Sequence, residues 1–292
     1  LSLWLDGADL DGDGQREGLA ESGLVGSNVV NWIDKSGNGR NASQTTATHQ
    51  PTYVITDGFG RLSFQTNDFL SLPSVLPATA TSASVFLVSQ TTSGVGHLLG
   101  TGWGNAANDH HLRWIDGLNY DGTFSASRQV FGPVPGSLGS SLRMKTIQNS
   151  SGQYSFSLDG SALFNGAATF SGASSTALLG RTNPFFWNGL AADIIVVSTG
   201  LSTVDRQRLE GYHALKWGIV DALPSNHPFK LGSNILLDGG QGVDTADLSI
   251  FTSYLNNLSV ALDANGAATF SAFGATVTLN EIENILAGEG ND

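Results

Sequence analysis

Residues 154–166, YSFSLDGSALFNG, set Tyr154, Phe156 and Leu158 on alternate positions, break at Asp159-Gly160, and resume with Ala162 and Phe164. Alternate positions share one face of a strand, and Asp-Gly between two such runs is a strong short-range hairpin signal. A hairpin with one apolar face must bury it against a second layer. The rest of the chain offers strands for that layer. SLWL (2–5), VVNWI (29–33), PTYVI (51–55), RLSF (61–64), HLLGTGW (97–103), HLRWI (111–115), ALLG (177–180) and GLAADIIVVST (189–199) are short apolar runs bounded by polar turns. SVFLVSQ (84–90) is nearly continuous in apolar character and predicts a central strand covered on both faces. Many short strands separated by Gly, Asn, Asp and Ser turns predict an all-β fold, an antiparallel jelly-roll β-sandwich.

One helix breaks the pattern. Ser202 is placed to cap it, with Asp205 three residues later, and TVDRQRLEGYHALKWGI then sets Leu209, Tyr212, Leu215 and Ile219 on one side. LPSNHPFKLG (223–232) reads as an extended linker, and beyond it the texture becomes Gly- and Asp-rich. The sequence therefore divides into a sandwich over residues 1–230 and a short β segment over 231–292.

The formal net charge is −12, from 25 acidic against 13 basic residues, which makes nucleic acid and anionic membrane surfaces poor partners. With no cysteine, acidic loops need another stabiliser, and calcium is one. No apolar run is long enough to span a membrane. The opening LSLWLDG lacks the features of a signal peptide and reads as the start of an excised piece of a longer chain.

Two acidic stretches carry the metal expectation. DLDGDG sets Asp9, Asp11 and Asp13 on a tight glycine loop, and calcium takes about six to eight oxygens from such a loop. The spacing matches the start of an EF-hand loop, but Ala20 stands where a bidentate Glu belongs, so the loop is a sandwich calcium site or a solvated turn. The turn WIDKSGNGRNA (32–42) adds Asp34 and Asn38 as candidate ligands. In the second stretch, GGQGVDTAD, the candidates are Asp238, Asp244 and Asp247.

GWGNAANDHHLRWIDGLNYDG (102–122) is the expected ligand site. It interleaves the aromatic residues Trp103, Trp114 and Tyr120 with Asn108, Asp109, His110, Asp116 and Asn119. Aromatic faces can stack on sugar rings or clasp peptide side chains, while amides and carboxylates bind hydroxyls. The competing reading makes the tryptophans core residues of a hairpin. No strand offers paired carboxylates for glycoside hydrolysis, since the glutamates of residues 1–200 are Glu17 and Glu21, both in a glycine-rich loop. There is also no G-x-S-x-G, H-E-x-x-H or P-loop motif. On these residues the chain is expected not to be an enzyme.

In order along the chain, WLDGAD, WIDKSGNGRNA, QPTY, GFGRLSF, SLDGSALFNG, ADIIVVS and RQRLEGYHALKWGI resemble the bacterial laminin-G-like, concanavalin A-like sandwich family. The resemblance implies a two-sheet jelly roll whose loops or concave face bind carbohydrate or extended peptide. GGQGVDTAD is similar to the RTX calcium-binding nonapeptide through Gly239, Gly240, Gly242 and Asp244, with Ala246 at the position that usually holds Leu or Ile. Together the two parts resemble the ligand-binding region of a bacterial RTX adhesin. That implies an extracellular, cell-surface module with Ca2+ as cofactor, a glycan or peptide of another cell as partner, and neighbouring adhesin domains on either side. A structural extender without a ligand and a glycoside hydrolase are the alternatives.

Overall fold

The computed structural model describes residues 1–14, 24–56, 58–93, 98–104, 113–115, 118–132, 141–172, 176–182, 185–230, 234–238, 245–247, 268–272, 275–280, 282 and 284–286. They fall into two compact units, Leu1–Glu210 and Gly211–Asp292, divided inside the one helix rather than at the linker near residue 230.

The first unit is an antiparallel jelly-roll β-sandwich, as the strand pattern predicts. One sheet runs Ser161–Ala167, Gln153–Leu158, Arg143–Ser150, Ala83–Ser93, Asn188–Val197, Phe59–Phe64, Thr52–Thr56, with Leu3–Asp6 also pairing to Asn188–Val197. A four-stranded sheet, Thr176–Leu179, Leu70–Pro73, Ala42–Ser43, Asn31–Trp32, forms a second layer. Leu3, Leu5, Val85, Leu87, Ile194 and Val196 from the first sheet share a core with Trp32, Leu70, Leu72, Ala177 and Leu179 from the second. A three-stranded sheet, Gln129–Phe131, Leu118–Asp121, Arg113–Ile115, adds Phe131, whose ring lies 5.1 Å from Phe156 and 5.0 Å from Phe164.

Local signals explain the elements that the sequence marks most clearly. Asp159 (φ 48°) and Gly160 (φ 79°) both adopt left-handed backbone, as a tight hairpin turn requires. Ala83–Ser93 is a central strand with neighbours on both edges. The helix Thr203–Lys216 begins as predicted, with the Asp205 amide donating to Ser202 Oγ at 3.1 Å. Within the first unit, Thr146 Oγ1 donates to Glu210 Oε1 at 3.1 Å.

In the second unit, Gly211 lets Phe229 approach the helix, since a Cβ there would lie 2.4 Å from the Phe229 side chain. Farther on, Asn234–Asp238 pairs in parallel with Ala275–Asn280, and Thr245–Asp247 pairs in parallel with Asn284–Leu286. The strands Asn234–Asp238 and Thr245–Asp247 therefore pair, in the same order and direction, with Ala275–Asn280 and Asn284–Leu286. Ala268–Ala272 closes the edge as an antiparallel neighbour of Ala275–Asn280. Among the described residues, no helix is long and apolar enough to cross a membrane.

Candidate functional site

The acidic loop follows directly from the strand Leu3–Asp6, whose pairing with Asn188–Val197 fixes where the loop starts. Glycine makes the bend possible. Gly12 and Gly14 sit at φ 74° and 90°, in the left-handed region that other residues rarely adopt. The bend gathers Asp9, Asp11 and Asp13, each offering a carboxylate oxygen within 4.8 Å of the others. Asp11 and Asp13 are exposed and Asp9 is buried.

Asp9 is the unusual member. Its Oδ2 accepts from the Gly14 amide at 3.1 Å and ion-pairs with Lys35. Its Oδ1 is buried with no hydrogen-bond partner among the described residues. A buried carboxylate oxygen left without a donor is costly. Lys35 Nζ also donates to Asp6 Oδ2 at 3.2 Å and lies 4.6 Å from the centre of the Trp4 ring. Partial burial pulls the Lys35 pKa down, but hydrogen bonds and charges from Asp9 and Asp6 outweigh it and leave the pKa above its ordinary value. Asp6 was one of the residues the sequence offered to complete this loop; Lys35 was not foreseen. The lysine, between Asp34 and Ser36 in the neighbouring turn, was the available signal.

Asp34 and Asn38 do not belong to this group. Asp34 Oδ1 accepts from the amides of Trp4 (3.0 Å) and Ser36 (2.9 Å), and Oδ2 accepts from Ser36 Oγ and the Arg40 amide, both at 2.9 Å. With both oxygens filled by donors, Asp34 organises its own turn, and its assignment as a calcium ligand is corrected accordingly. Asn38 turns its amide nitrogen to Ser2 O at 3.2 Å and Ser36 Oγ at 2.9 Å, which makes it a clasp across the turn.

The expected aromatic ligand site also changes. Trp103 is wholly buried, donates from Nε1 to Leu178 O at 2.9 Å and packs 6.1 Å from Phe124. An indole with no accessible face cannot stack on a ligand, so Trp103 is a core residue. Asn119 is buried as well and donates from Nδ2 to Gly132 O at 3.0 Å. Tyr120 is half-buried, with the Arg128 guanidinium 5.4 Å from its ring centre. Asn108, Asp109, His110 and Asp116 lie outside the described residues, as does the side chain of Trp114. In the second unit, Asp238 stands opposite Asn280 and Asp247 opposite Leu286, each ending its strand, while Asp244 and the side chains of the other two lie outside the described residues.

No family model matches the chain, and no curated protein does. Among solved structures, the chain is similar to domain 4 of a GH43 extracellular arabinanase from Geobacillus stearothermophilus, solved with arabinotriose. That match has 16% identity and a TM-score of 0.46, covering 61% of this chain and 91% of that one. It is also similar to a GH54 α-L-arabinofuranosidase, at 12% identity and a TM-score of 0.45, over 72% of this chain and 58% of that one. A third is the binding domain of Paraclostridial Mosquitocidal Protein 1, at 11% identity and a TM-score of 0.46, over 65% and 51%. At these identities the likeness is one of fold. Two of the three belong to glycoside hydrolases, which corrects the expectation that the chain is not an enzyme: that exclusion is withdrawn.

Proposed function

We propose that this chain is a calcium-dependent module that binds a ligand on a cell surface, as part of an extracellular bacterial adhesin. The observation that carries the reading is the Asp9–Asp11–Asp13 loop. Three carboxylate oxygens lie within 4.8 Å of one another, and the second oxygen of the Asp9 carboxylate is buried with no donor among the described residues. Such charges repel unless a cation lies among them. The donor set is all oxygen, which suits a hard divalent ion such as calcium. Asp9, Asp11 and Asp13 would hold the ion, and it would supply neutralisation and rigidity to a loop that begins at the end of a sheet strand. Lys35 supplies one positive charge to the same cluster, on the Asp9 and Asp6 side.

The parallel strand pairs of the second unit, with Asp238 and Asp247 at strand ends, support an RTX-like reading of residues 231–292. Calcium would bind there too, through Asp238, Asp244 and Asp247. The net charge of −12 suits an extracellular, calcium-rich setting. The test is a paired screen of glycans and peptides with and without calcium. Retention of a ligand that EDTA abolishes supports the module. Calcium-dependent melting without any retained ligand makes it a spacer instead.

A further inference from the structure

A second feature of the sandwich is a cleft of about 390 Å³ across the ends of three strands, within the volume range of small-molecule sites, roughly 300–1,000 Å³. Its walls come from residues 63–66, Thr92 and residues 188–190. The polar groups offered are the hydroxyls of Ser63, Thr66 and Thr92 and the amides of Gln65 and Asn188. None of the described lining residues is ionisable.

Three independent features build this cleft. Asn188 pairs with Ser93 and Gly189 with Thr91, so Thr92 is the extra residue of a β-bulge. Bulges re-aim side chains and recur beside functional sites. The wall at 65–68 is a locked turn: the Gln65 amide donates to Asp68 Oδ2 at 2.8 Å and the Asp68 amide donates to Gln65 O at 2.9 Å. Beneath lie the buried rings of Phe64 and Trp187, 5.6 Å apart, with Trp187 Nε1 donating to Thr91 Oγ1 at 3.1 Å. Gly189 has no room for a side chain, since a Cβ would meet Gln90 O at 2.2 Å. The walls are fixed before any ligand arrives, which lowers the entropy lost on binding.

We propose that this cleft binds an uncharged carbohydrate, one or two sugar rings in extent. The inference rests on the binding-module reading above and names its ligand class. Hydroxyls and amides can donate to and accept from sugar hydroxyls, whereas a sialylated or sulfated sugar would need a cation that the described lining residues lack. A peptide fits less well. The strands here are interior to the sheet, so among the described residues no free edge is offered for strand addition and no Lys or Arg of the lining awaits a C-terminal carboxylate. Without an exposed aromatic face in the lining, affinity comes from hydrogen bonds and is weak, on the order of 0.1–1 mM per site.

The test uses an array of neutral di- and trisaccharides beside sialylated and sulfated glycans and immobilised peptides, probed with the full chain in calcium. Neutral saccharides are expected to be retained. Gln65→Ala and Thr92→Val each weaken that retention about five-fold, the loss of one hydrogen bond, at unchanged Tm. Both residues are exposed, and the Gln65 amide that locks the turn survives the change. Unchanged saccharide retention in the double variant overturns the cleft while leaving the binding module standing. Retention of peptides or acidic glycans alone overturns the ligand class, and retention of nothing overturns both readings.

Discussion

Asp34 and Asp9 sit in two Gly- and Asp-rich bends that look equivalent in the sequence, yet the fold treats them in opposite ways. Around Asp34, four donors reach the carboxylate: the amides of Trp4, Ser36 and Arg40 and the Ser36 hydroxyl. Around Asp9, one amide and one lysine reach Oδ2, and Oδ1 has no donor among the described residues. An aspartate in a turn can thus be a complete structural device or an incomplete coordination shell, and only the count of donors distinguishes them. The lysines show the same contrast. Lys35 faces two carboxylates and its pKa is raised. Lys145 is buried, donates to Ser89 Oγ at 2.8 Å, and burial pulls its pKa down to about 8, with Asp159 opposing and Arg143 adding to the fall.

Asp34→Ala should have the largest effect. It strands four partly buried donors and is expected to cost roughly 3–5 kcal/mol in urea unfolding, equally with and without calcium. A loss that calcium modulates would return Asp34 to the metal site. Next comes the pH profile of Lys145. Its folded pKa is depressed, so between pH 8 and about 10.4 the unfolded chain binds more protons and stability rises with pH. The gain from pH 7 to pH 10 is expected to be about 2 kcal/mol, and to vanish in Lys145→Met. Lys35 and Tyr154 have raised pKa values, so the stability they contribute is lost only as pH climbs past about 10.

Lys35→Met removes the cation beside Asp6 and Asp9. We expect a loss of about 1–2 kcal/mol in EDTA and a smaller one in calcium, because the ion neutralises the same carboxylate. Equal losses in both buffers would mean that Lys35 and the ion do not share Asp9. Asn38→Ala, at an exposed clasp, should cost under about 1 kcal/mol and leave calcium dependence unchanged.

Features set by neighbours in the chain were legible beforehand. The hairpin at Asp159-Gly160, the Ser202 cap and the central strand Ala83–Ser93 each follow from a few adjacent residues. What depends on distant partners was not. Trp103 could be read either as an aromatic platform or as core until the Leu178 carbonyl, 75 residues away, is seen to accept its indole N–H. Trp4 and Asp34 are 30 residues apart, so the sequence could not separate a filled carboxylate from a waiting one. The neutral cleft draws on residues near 64, 92 and 189 and on a bulge, and no local pattern announces that combination.

The most direct test of the account is thermal unfolding of the chain and of Asp9→Asn across a calcium titration. A chain whose Asp9–Asp11–Asp13 loop binds the ion at 100 times its Kd gains about 2.7 kcal/mol, a rise in Tm of roughly 5–10 °C, of which Asp9→Asn loses most. A parent chain that melts at the same temperature in EDTA and in millimolar calcium would contradict the account.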